Sequence, residues 1–79
     1  MYQLELSAID SDTANEVNEL EVRVQGRLAG RVRDLQLLFK NRGVVLRGFA
    51  RTYHAKQLAQ HAVMMESNLP IVANEIEVI

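Results

Sequence analysis

Arg47, Phe49 and Arg51 alternate with Gly48 and Ala50, so on an extended chain one aromatic ring and two guanidinium groups share a face. Such a set stacks on flat π surfaces, pairs with phosphate or carboxylate, or buries against apolar groups. None of that is covalent chemistry, and the residues that would supply covalent chemistry are sparse. His54 and His61 are the two histidines, and seven residues along a helix separate them by about 10 Å, too far to chelate one metal. Cysteine is absent, and no G-x-S-x-G, H-E-x-x-H or phosphate-loop pattern occurs. Nothing in the spacing sets a carboxylate beside a histidine. The expectation is a protein without catalytic residues, metal or cofactor, and no small-molecule substrate is inferred.

Arg47-Gly48-Phe49-Ala50 also matches the first half of the octamer K/R-G-F/Y-G/A-F-V-x-F/Y, on which one kind of RNA-binding sheet stacks bases. Beyond Ala50 the match stops, because Arg51, Thr52 and His54 stand where the octamer wants Phe, Val and an aromatic. The partner motif on an earlier strand needs an aromatic near an Asn-Leu pair, which Gln3-Leu4-Glu5-Leu6 lacks. A single-stranded-RNA surface built on Phe49, Arg47 and Arg51 is therefore the alternative reading, with nucleic acid the disfavoured partner.

The 79 residues make one small domain, which buries roughly 60–65% of its unfolded surface. The net charge of −1 conceals a segregation. Residues 1–22 carry six acids and no Lys or Arg; residues 23–56 carry all nine basic residues and the single acid Asp34; residues 57–79 carry three acids and nothing basic. A block of this kind marks either an anion-binding surface or segments that pair inside the fold. The first residues show neither a basic stretch nor an unbroken apolar run, so no signal peptide or membrane span is expected and cytoplasm is the default location.

The elements that must position these side chains are well marked. Thr13-x-x-Glu16 is a capping-box pattern, and Val17, Leu20, Val24 and Leu28 follow at helical spacing, with Gly30 placed for a left-handed stop. From Val32 to Ala50 the period becomes two. Leu35, Leu37 and Phe39 alternate with Asp34, Gln36 and Leu38; after a turn at Asn41-Arg42-Gly43, Val44, Leu46 and Gly48 alternate with Val45, Arg47 and Phe49, which predicts a β-hairpin. Thr52 caps a second helix with Ala55, Leu58, Ala59, Ala62 and Met65 as its buried positions, ended by Asn68 in a left-handed conformation and by Pro70. Val72, Asn74, Ile76 and Val78 share one face of a last strand, with Glu75 and Glu77 opposite. The predicted class is α+β, in the order αββαβ: a three-stranded sheet with two helices packed on one face. Residues 1–12 form an N-terminal segment, in which Tyr2, Leu4, Leu6 and Ala8 alternate with Gln3, Glu5 and Ser7. An extra strand there would give the ferredoxin-like order β-α-β-β-α-β.

Residues 43–78 resemble the BON domain, a bacterial module named after osmotically inducible and nodulation proteins. Gly43-Val44-Val45-Leu46-Arg47-Gly48 approximates its strand-glycine signature, with a turn one residue shorter than usual. The run Ala55 to Ala62 looks like its small-residue helix. Asn68-Leu69-Pro70-Ile71-Val72-Ala73-Asn74-Glu75-Ile76-Glu77-Val78 is similar to its closing pattern, with Asn68 in place of a glycine. Residues 13–79 would then be the BON-like domain. The resemblance implies the αββαβ fold, no catalytic residues, and binding of phospholipids or partner proteins, often at bacterial envelopes. On this reading Leu38, Lys40, Val45, Arg47, Phe49 and Arg51 face outward with Glu75 and Glu77 on an uncovered sheet face. That face would contact a protein partner, a second copy of the chain, or an anionic phospholipid surface.

Overall fold

In a computed structural model of the chain, residues 16–79 are described. The Thr13 capping box and the alternating segment at residues 2–8 lie outside them. The first described element is a helix, α1, which runs over 16–28 and is followed by Ala29 and Gly30 at φ 51° and 83°, the left-handed stop that Gly30 predicts. Two strands follow, β1 (Val32–Lys40) and β2 (Gly43–Ala50), then helix α2 (Tyr53–Glu66), and then two short strands, β3 (Ile71–Asn74) and β4 (Glu77–Val78). β2 is the centre of the sheet: β1 pairs with it antiparallel, and β3 and β4 pair with its other side in parallel. The predicted last strand is thus one line of chain, interrupted at Glu75 and Ile76, and its expected shared face is broken. A register shift leaves Val72 without a β2 partner and 42% exposed while Ile71 packs on the core, Asn74 and Ile76 turn to the helices, and Val78 is 46% exposed. The fold is α+β in the order αββαβ.

One hydrophobic cluster joins both helices to one face of the sheet. It takes Val17, Leu20, Val24 and Leu28 from α1, Leu35 and Leu37 from β1, Val44, Leu46 and Ala50 from β2, and Ala55, Ala59, Ala62 and Val63 from α2, with Ile76 beside them. The strand members alternate, so the two helices lie on the same side of the sheet. Thr52 caps α2 as predicted, its hydroxyl accepting from the Ala55 N–H at 3.0 Å. The buried stripe of α2 is rotated from the expected one: Val63 is fully buried while Met65 is 58% exposed. In the last turn it is Glu66 that faces α1, where the guanidinium groups of Arg23 and Arg27 both reach its carboxylate. The helix ends without a left-handed residue, because Ser67 is extended at φ −151° and Asn68 keeps a negative φ. Phe39, expected on the buried face, is 45% exposed at the hairpin end.

Two irregularities set the register. Arg33 pairs with Phe49 and Gln36 with Arg47, so Asp34 and Leu35 together oppose Gly48. This is a β-bulge, with Asp34 at φ 54° and Gly48 at φ 150°. A Cβ on Gly48 would lie 2.9 Å from the Arg33 carbonyl oxygen and 3.0 Å from Val32 Cγ1. The close approach at this glycine is therefore to the bulged neighbour strand. The hairpin turn is tighter than Asn41-Arg42-Gly43: Lys40 pairs with Gly43, and the two loop residues Asn41 and Arg42 have φ 53° and 64°, the sign pattern of a type I′ turn.

Asn74 ties the last strand to α2. Its side-chain N–H groups donate to the Lys56 carbonyl at 3.0 Å and to Gln60 Oε1 at 3.3 Å, and its Oδ1 accepts from the Ile76 N–H at 3.2 Å. That last bond turns the chain between β3 and β4 and delivers Ile76, 1% exposed, into the core.

Candidate functional site

The face of the sheet turned away from the helices is built in three rows across the strands. The register places Leu38, Val45 and Ala73 in one row. Gln36 and Arg47 stand in the next, with Glu75 beside them through the bond from its N–H to the Leu46 carbonyl. Arg33, Phe49 and Glu77 form the third. The first row is apolar. In the second, Arg47 Nε lies 3.0 Å from Glu75 Oε1, with both side chains about half exposed. In the third, the Arg33 guanidinium carbon sits 6.0 Å from the centroid of the half-buried Phe49 ring, and Glu77 flanks the ring from the other side. Among the described residues neither Arg33 nor Glu77 has an ion-pair partner within 4 Å.

Leu38, Val45, Arg47 and Phe49 therefore share a face, and Lys40 continues it at the hairpin end. Val45 is corrected in one respect: it is 4% exposed, because it stands in the central strand between Leu38 and Ala73, so it supports the face and offers no contact area. Arg51 lies one residue past β2 and shares a concave rim with Arg31, Arg33, Phe49 and His54. Arg47, placed by the sequence on the outward face with Glu75 and Glu77, is engaged by Glu75. The basic block divides accordingly: Arg23, Arg27 and Arg47 pair inside the fold.

Arg33 is the residue that alternation alone misplaces. Counting by twos from Leu35 and Leu37 puts it on the helix side, and the extra residue at Asp34 returns it to the open face. The signal was present in the sequence as Asp34, a residue that tolerates positive φ, facing a strand glycine; neither alone identifies a bulge. His54 and His61 are both exposed on α2. Among the described residues no three His, Cys, Asp or Glu side chains come together in a way that holds a metal ion. Among them, too, no helix is long and apolar enough to cross a membrane. The chain matches no protein-family model, no curated protein and no solved structure.

Proposed function

We propose that this chain is a non-catalytic binding module that takes a protein partner on the open face of its sheet, as the BON-like pattern of residues 43–78 suggests. The observation that supports this reading is the third row: an aromatic ring with Arg33 on one side and Glu77 on the other, neither ion-paired among the described residues. A face with both signs of charge around an apolar centre suits the mixed surface of a protein, where complementary charges fix orientation. It suits a uniformly anionic partner less well. Membrane headgroups or nucleic acid would be drawn to the Arg33 side and repelled by Glu75 and Glu77, and Arg47 already has its counter-ion.

Site-directed photo-crosslinking in living cells tests the reading. A benzophenone-bearing phenylalanine analogue at Phe49 keeps an aromatic ring in place, and the same analogue at the exposed Gln57 on α2 serves as control. A discrete protein adduct from position 49 and none from position 57 is expected. Adducts of lipid or nucleic acid from position 49, or equal protein labelling from both positions, would overturn it.

A further inference from the structure

We propose that the open face is a homodimer interface, in which two copies stack face to face about a twofold axis running along β2. The proposal rests on the reading of this face as protein-binding and names the partner. A rotation of 180° about an axis parallel to the central strand leaves each row at its own height and exchanges its two edges. The row Arg33–Phe49–Glu77 of one copy then meets Glu77–Phe49–Arg33 of the other. Each Arg33 guanidinium faces a Glu77 carboxylate of the other copy, and ring meets ring on the axis.

The other rows obey the same operation. Leu38 and Ala73 of one copy meet Ala73 and Leu38 of the other, apolar against apolar, with the buried Val45 beneath them. Gln36, Arg47 and Glu75 meet Glu75, Arg47 and Gln36, so the two Arg47 side chains approach on the axis, each between its own Glu75 and that of the other copy. Lys40 lies beyond the rows at the hairpin end and opposes no cation. A twofold interface must be self-complementary, and the third row is so because Arg33 stands on β1 and Glu77 on β4, with the acids Asp34 and Glu21 also lining the concavity at the β1 side. Three strands at about 4.8 Å spacing and the 9 residues of β1 bound a face of roughly 14 by 30 Å. That is below the area of a permanent dimer, so the association falls in the weak, transient class.

Sedimentation equilibrium at low salt, up to about 1 mM chain, reads it directly. A concentration-dependent dimer is expected. Arg33→Glu and Glu77→Arg, both at exposed positions, should each weaken it by about tenfold or more, since each opposes like charges twice across the axis. The double variant Arg33→Glu with Glu77→Arg restores opposite charges in every copy and should recover the dimer to within about threefold of the parent. Gln57→Glu, on the exposed side of α2, should leave it unchanged, and thermal unfolding of each variant confirms that the domain is intact. A chain that stays monomeric at about 1 mM overturns the homodimer; a crosslinked adduct of a different protein at position 49 would then leave the wider reading standing. Single reversals without effect, or a double variant no better than the singles, overturn the stacking arrangement itself.

Discussion

Two glycines in this chain should respond to the same substitution with opposite sign. Gly48 sits opposite the bulge at φ 150°, and a Cβ there would meet the Arg33 carbonyl oxygen at 2.9 Å and the Asp34 carbonyl oxygen at 3.3 Å. An L-residue at that φ costs of order 1–3 kcal/mol. Relieving a contact against backbone, which cannot rotate away as a side-chain end can, costs roughly 1–3 kcal/mol more. Gly48→Ala should therefore destabilise by about 2–6 kcal/mol. A domain of 79 residues has about 4–12 kcal/mol in total at roughly 0.05–0.15 kcal/mol per residue. Melting should fall by about 10 °C or more, given 4–8 °C per kcal/mol at this size. Gly48→Val should be worse, its extra methyls directed at Val32. Gly26 lies within α1 with nothing within 4 Å of its Cβ position, so Gly26→Ala should stabilise by about 0.5–1 kcal/mol. The assay is calorimetry or circular dichroism melting of the two variants beside the parent. A Gly48→Ala protein within about 0.5 kcal/mol of the parent would refute the reasoning: β1 and β2 would then pair without the bulge, and Arg33 would return to the helix side.

Two further outcomes follow from named contacts. Asn74→Ala removes the bonds to Lys56, Gln60 and Ile76 and should cost about 1–3 kcal/mol, with faster amide exchange at Ile76; unchanged exchange there would mean that the turn between β3 and β4 holds itself. Arg42→Gly should stabilise by about 0.5–1 kcal/mol in a urea titration, because an L-residue at φ 64° bears about 1–2 kcal/mol of strain and glycine returns part of the gain as unfolded-state entropy; a loss of stability would argue against the type I′ turn.

The α1 stripe Val17, Leu20, Val24 and Leu28, the stop at Gly30, the hairpin, the cap at Thr52 and the order αββαβ were all legible in the sequence. Each depends on neighbours a few residues apart: the 3.6 and 2.0 periods are geometric properties of the local backbone, and a cap is a bond spanning three residues. The outward placement of Leu38, Arg47 and Phe49 follows from the same counting, as long as no residue is inserted. Only the tertiary structure decided where the count breaks. The bulge at Asp34 exists because Gly48, fourteen residues further on, gives a neighbouring backbone room, and no local pattern encodes that pairing. It moved Arg33 onto the open face. Burial of Val45 depended on two strands flanking it, and the neutralisation of Arg47 on a carboxylate twenty-eight residues away. The same holds for α2, whose stripe is turned toward Val63 and whose Glu66 meets two arginines of α1. Charge and periodicity are one-dimensional properties, whereas which charges meet is a property of the packed sheet, and the character of the face was settled there.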